Sequence, residues 1–129
     1  MLTIERGTAP QAAISMSAEQ ALVIANKRFS NLASTGILGR RCTGPPIDLW
    51  QISKAMTVLA ACRRSKSPRV HSYDLRAAIG AVSVGAVIAA AVALDFDVRS
   101  WLGDTTFAPH ALIGVNADDI ARPGRIVAA

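Results

Sequence analysis

Aromatic and charged residues are both scarce in this chain of 129 residues. Phe, Trp and Tyr make up 5% of it, which argues against a core centred on aromatic side chains and leaves Ala, Val, Ile and Leu to fill the interior. Charged residues reach 18%, below the level of about 25% that is usual for globular domains. The two shortages together favour closely packed helices over an aromatic-centred sandwich.

Cysteine and histidine are equally sparse. Cys42 and Cys62 are too few for a disulfide framework and no apolar signal segment precedes them, so we expect a cytoplasmic protein with both thiols as small buried side chains. His71 and His110 have no neighbouring set of ligands, and we expect neither a metal nor another cofactor. Because no nucleophile elbow or phosphate-binding loop occurs, we also expect no enzymatic activity.

Positive charge is concentrated in the middle of the chain. Residues 27–76 carry ten basic and two acidic residues, a net charge of +8, whereas residues 77–129 carry a net charge of −2. This asymmetry is typical of a protein that meets an anionic partner, and also of a membrane topology signal. Two basic loops, GRRCTGPP and RRSKSPR, hold the predicted partner-binding residues Arg40, Arg41, Arg63, Arg64, Lys66 and Arg69.

Apolar residues recur at helical spacing in two segments before residue 64. Ser17 and Gln20 have the spacing of a capping box, and the pattern predicts a helix over residues 18–35 that stops at Gly36. A second amphipathic helix, IDLWQISKAMTVLAACRRS, follows a proline. We therefore predict an all-α bundle built on these two helices and a third.

The third helix contains the longest apolar run of the chain, AAIGAVSVGAVIAAAVAL at residues 77–94. Ser72 is the predicted cap, and the helix is expected to begin at Tyr73 and to continue to Leu94. Its larger side chains point in all directions around the axis, which predicts a helix buried on every side. Small residues recur every four positions and predict a ridge for close helix packing: Ala77, Ala81, Gly85, Ala89 and Ala93.

The remaining segments carry weaker signals. Residues 1–16 lack periodicity and are interpreted as an N-terminal arm, and residues 17–129 as a single helical domain. Two short helices are predicted near the C-terminus, one capped by Asp97 and one by Asn116.

The apolar run admits a second interpretation as a membrane span. Eighteen apolar residues reach the lower limit for a spanning helix, and the basic flank would keep the N-terminus on the cytoplasmic side of an inner membrane. A soluble core is the first choice, because the two preceding amphipathic helices need an apolar surface to cover.

Function is therefore expected to reside in surface contact. The first hypothesis is a non-enzymatic helical interaction protein with an accessory or regulatory role, whose basic loops contact nucleic acid or an acidic or nucleoprotein partner. The alternatives are a single-pass membrane protein that oligomerises through the small-residue ridge, and a structural subunit of a larger assembly, so a homo-oligomer is possible. Exposure of Trp50 would favour a binding surface, because tryptophan is enriched at interaction hot spots.

Overall fold

The computed structural model describes residues 16–30, 32–38, 44–66, 70–100 and 111–120. Within these ranges the chain forms four α-helices, two small antiparallel sheets and one 3-10 helix. The prediction of an all-α protein with three main helices is therefore wrong, and the fold is mixed. Of the predicted N-terminal arm, residues 1–15 lie outside the described residues.

The elements follow one another along the chain without a repeat. The helices are α1 (Ala18–Arg28), α2 (Leu49–Ala60), α3 (Ser72–Ile79), α4 (Val84–Ala93) and the 3-10 helix Ala117–Ile120. The strands are β1 (Leu32–Ala33), β2 (Gly36–Ile37), β3 (Val70–His71), β4 (Val98–Ser100) and β5 (Ala111–Ile113).

Helix α1 begins as predicted and ends seven residues early. The Ser17 hydroxyl accepts from the Gln20 N–H and the Gln20 side chain accepts from the Ser17 N–H, both at 3.0 Å, which confirms the capping box. The segment that was expected to complete the helix instead forms the β1–β2 hairpin. Gly36 has a φ of 125°, so it shapes this hairpin rather than stopping a helix.

Helix α2 matches its predicted amphipathic pattern. Of the predicted apolar face, Ile52, Met56 and Leu59 are buried and Ala60 is half-buried, whereas Leu49 in the first turn is exposed. The helix supplies one of the two largest apolar faces that pack on α4; α1 supplies the other.

The third predicted helix is divided into α3 and α4, which meet at an angle of 99°. Gly80 and Ala81 take positive φ values of 77° and 58°, and this breaks the helix inside the apolar run. The Ser83 hydroxyl then accepts from the Ala86 N–H at 3.1 Å and caps the new helix. Ser83 carries the only hydroxyl in these eighteen residues, and serine is a preferred N-cap residue. The sequence therefore contains a signal for the start of a second helix in the middle of the apolar run.

The cap of α3 also differs from the prediction. His71, not Ser72, precedes the helix, and its Nδ1 accepts from the Tyr73 N–H at 3.1 Å. Ser72 is fully buried and accepts from the Ala111 N–H at 3.0 Å, so its hydroxyl joins α3 to β5.

Helix α4 lies at the centre of the fold. Residues 84–91 are all buried, and the helix contacts α1, α2, α3 and both sheets. This confirms the prediction that the apolar run is buried on every side over this part of its length. No single helix in the described ranges is long and apolar enough to cross a membrane; α3 and α4 reach the required length and composition only together, across their bend.

The larger sheet also contacts α4. Strand β5 lies in the middle, antiparallel to β3 on one side and to β4 on the other. The predicted short helix after Asp97 is wrong, because β4 occupies that position. The second predicted short helix is present as the 3-10 helix, and the Asn116 side chain accepts from the Asp118 N–H at 2.9 Å.

Candidate interaction site

Helices α2 and α4 run in the same direction and define two ends of the molecule. At their N-terminal ends, the Gln51 side chain accepts from the Ser83 N–H at 2.8 Å, and the Gly85 N–H donates to the Ser34 carbonyl at 3.0 Å. Ser34 also donates to the Pro45 carbonyl at 2.9 Å. We call this region, with the β1–β2 hairpin, the hairpin end.

The opposite end is held by the residues that follow α2. The Arg64 guanidinium donates to the carbonyl of Leu94 and lies 4.6 Å from the centre of the Phe96 ring, a cation–π contact. Positive charge at this position complements the unsatisfied carbonyls at the C-terminus of α4. Arg64 therefore has partners inside the fold.

Arg63 is also engaged, with the segment of residues 114–119 that we call the strap. Its main-chain N–H donates to one Asp119 carboxylate oxygen at 2.8 Å, and its guanidinium donates to the other at 3.0 Å. Partial burial alone would raise the pKa of Asp119, but the hydrogen bonds and the charge of Arg63 outweigh it and hold that pKa below its usual value. The strap also pairs its backbone with residues 63–65.

Cys62 lies near this ion pair, and its thiol is buried and stays protonated at neutral pH. Its side chain is buried, and its thiol donates to the Val58 carbonyl at 3.4 Å. Burial and, to a smaller extent, the nearby negative charge of Asp119 raise the pKa of the Cys62 thiol to about 11. This confirms the expectation of a small buried side chain at residue 62; Cys42 lies outside the described residues.

The structure does not bring the six predicted basic residues together into one described surface. Arg40, Arg41 and Arg69 lie outside the described residues. Arg63 and Arg64 make contacts within the fold at the end of the molecule opposite the hairpin end, which we call the strap end. Lys66 is exposed at this end. Leu38 and Gly44, which flank the segment containing Arg40 and Arg41, contact each other beside the hairpin, since a Cβ added at Gly44 would lie 2.9 Å from Leu38 Cδ1.

Trp50 is the most prominent exposed aromatic residue at the hairpin end. It lies in the first turn of α2 with 58% of its surface exposed, next to Leu49, which is 39% exposed. Lys54 follows one helical turn later and is partly exposed. The sequence contained a signal for this position, because Trp50 lies about 180° around the helix from Leu59 at 100° per residue. The exposure of Trp50 favours a binding surface, because tryptophan is enriched at interaction hot spots.

The predicted small-residue ridge is divided between elements. Ala77 is exposed on α3 and Ala81 lies in the bend, so only Gly85, Ala89 and Ala93 share α4. At Gly85 the close approach is made by the hairpin rather than by another helix: an added Cβ would lie 1.8 Å from the Ala33 carbonyl oxygen. Gly85 therefore positions the hairpin against the start of α4.

In the ranges that the structure describes, no group of three or more His, Cys, Asp and Glu side chains could hold a metal ion. No family model, curated protein or solved structure matches this chain.

Proposed function

We propose that this protein is a small non-enzymatic nucleic-acid-binding protein that contacts its ligand at the hairpin end. The observation that carries the proposal is the exposure of Trp50 at the end of the molecule where Leu38 and Gly44, the described residues on either side of the Arg40–Arg41 segment in the sequence, contact each other. Arginine pairs with phosphate oxygens in bidentate fashion, and an exposed indole ring offers a flat apolar surface to a base.

Charge supports a polyanionic partner, and the exposed indole ring of Trp50 favours nucleic acid among such partners because it can stack on a base. Residues 27–76 have a net charge of +8, and a phosphate backbone presents negative charge at every nucleotide. Asp48 is exposed at the start of α2 and opposes this attraction locally. Its carboxylate accepts a long hydrogen bond from the Gln51 side chain at 3.4 Å.

The strap end contributes less to the proposed surface than its composition indicates. Arg63 is paired with Asp119, and Arg64 is bonded to Leu94 and stacked on Phe96. Releasing either side chain to a phosphate would break contacts that hold the strap and α4. Lys66 is also exposed there, and it provides a control at the far end of α2.

The proposal is tested by measuring binding to a fluorescent oligonucleotide between about 50 and 200 mM salt. The affinity of the wild type is expected to fall steeply with salt. Replacing Arg40 and Arg41 together with Ala is expected to weaken binding and to reduce the slope of log K against log salt by about 1.4 for a single strand. Lys66→Ala is the control and is expected to change the slope less than half as much.

Two results would overturn the proposal. One is binding that does not depend on salt. The other is an equal loss of affinity for Lys66→Ala and for the double arginine variant, because it would show that the ligand does not distinguish the hairpin end from the strap end.

A further inference from the structure

We infer that Trp50 stacks on an unpaired base, so that the ligand of the hairpin end is a single-stranded nucleic acid rather than a duplex. The inference rests on the proposed function and narrows its ligand class. A base inside a duplex has both faces covered by its neighbours, whereas bases in a single strand can stack on an aromatic side chain.

The backbone on both sides of Trp50 is fixed. Ile47, three residues earlier, is buried, and the next residue, Gln51, bonds to the Ser83 N–H at the start of α4. Pro45, further upstream, accepts from Ser34 of the hairpin. The ring is thus presented by a rigid turn, and stacking on it costs little ordering of the main chain.

Core packing does not explain Trp50. The buried residues of α2 are Ile52, Ala55, Met56, Val58 and Leu59. Ile52 and Leu59, which are fully buried, lie about 160° and 180° around the helix from Trp50 at 100° per residue. More than half of the Trp50 side chain meets solvent. Its removal should therefore leave the fold intact, so a change in binding can be assigned to the ring itself.

The exposed face of α2 also fits a single strand in its chemistry. Lys54 lies one turn beyond Trp50, and side chains at this spacing are about 5–6 Å apart at Cβ. A base on the indole ring would thus place a neighbouring phosphate within reach of the Lys54 ammonium group. Ser53 and Thr57 complete this face, and the Thr57 hydroxyl already donates to the Ser53 carbonyl at 3.0 Å.

The experiment compares three polyanions that differ in the availability of their bases. The ligands are an oligothymidylate of about 15 nucleotides, a duplex of the same length and heparin, which has negative charge and no bases. The protein variants are Trp50→Ala and, as a matched control, Tyr73→Ala, which removes an aromatic side chain of similar exposure from α3. Urea unfolding of each variant checks that the fold is retained.

Trp50→Ala is expected to weaken binding of the oligothymidylate by about 5- to 150-fold, the range for loss of one stacked base. Its binding of the duplex and of heparin should change less than threefold, and Tyr73→Ala should bind all three ligands as the wild type does. Oligothymidylate should also quench tryptophan emission of the wild type more than that of Trp50→Phe.

The failures are distinguishable. If Trp50→Ala binds oligothymidylate as tightly as the wild type, while salt-dependent binding persists, the stacking inference is wrong and the proposed function stands. If Trp50→Ala weakens all three ligands equally, the ring acts by shaping the hairpin end and the inference is again wrong. If the wild type binds none of the ligands, the proposed function fails, and the exposed Trp50–Leu49 pair indicates a protein partner instead.

Discussion

Replacing Gly85 with Ala tests the packing at the centre of the molecule. An added Cβ would lie 1.8 Å from the carbonyl oxygen of Ala33, 2.7 Å from its carbonyl carbon and 3.0 Å from the Cα of Ser34. All three atoms belong to the hairpin backbone, so no side-chain rotation relieves the overlap. The hairpin or the first turn of α4 must move.

The cost follows from three contributions. Overpacking of a close contact typically costs about 1–3 kcal/mol. Displacement of the hairpin also weakens the hydrogen bond from the Gly85 N–H to the Ser34 carbonyl, which is worth about 1 kcal/mol. The higher helix propensity of alanine returns up to about 1 kcal/mol. We expect Gly85→Ala to lower the free energy of unfolding by roughly 1–3 kcal/mol.

The reverse exchange four residues earlier is the matched control. Ala81 is exposed and has a φ of 58°, a conformation that costs a residue with a Cβ about 1–2 kcal/mol. Because glycine adopts it without strain, Ala81→Gly is expected to be neutral or to stabilise by up to about 1 kcal/mol after its entropic cost. Urea unfolding followed by circular dichroism measures both variants. A Gly85→Ala protein as stable as the wild type would refute the close approach of α4 to the hairpin.

Three further predictions concern the strap end. In a Cys42→Ala background, native Cys62 should resist iodoacetamide at about pH 8 and react once urea unfolds the chain, because its pKa of about 11 keeps the thiol protonated. The contribution of the protonated thiol to stability should be lost as the pH rises from about 9 through 11. Rapid alkylation of the native protein would contradict the raised pKa. Asp119→Asn should destabilise the protein at neutral pH and flatten the acid side of its profile of stability against pH. A carboxylate whose pKa is lowered in the folded state stabilises the fold above its ordinary pKa of about 3.9, and the stabilisation is lost as the pH falls through the folded-state pKa. Parallel acid sides in the wild type and the variant would exclude a stabilising role of the Asp119 carboxylate. Arg64→Met should lower the free energy of unfolding in urea by about 1–2 kcal/mol, because it removes the hydrogen bond to the Leu94 carbonyl and the cation–π contact with Phe96. Lys66→Met is the control and should change stability by less than about 0.5 kcal/mol. Equal effects of the two substitutions would show that the contacts of Arg64 do not stabilise the fold.

The helices with strong amphipathic periodicity were predictable from the sequence, and the strands were not. The capping box at Ser17 and the buried face of α2 follow directly from residue spacing. The strands contain only two or three residues each, which is too short for an alternating pattern to show. Their existence depends on tertiary pairing, such as that of β5 with both β3 and β4.

The division of the apolar run illustrates how a local signal is outweighed by a stronger one. Eighteen residues without a charge favour one continuous helix, and Gly80 alone costs such a helix only about 1 kcal/mol. The bend lets α3 reach β5 through Ser72 and lets α4 pack on three helices and two sheets. These contacts involve residues far apart in sequence, so a local reading of the run gives them no weight.

The two arginine pairs show why charge count alone overstates a binding surface. Arg40–Arg41 and Arg63–Arg64 are identical as dipeptides, and sequence gives both the same expectation. Arg63 and Arg64 follow a helix that ends beside the C-terminus of α4 and beside Asp119, so a carbonyl and a carboxylate lie within their reach. Charges already paired in this way release fewer counterions when a polyanion binds. The slope of log K against log salt should therefore be smaller than the net charge of +8 over residues 27–76 would give, and substitutions at the hairpin end should change that slope most.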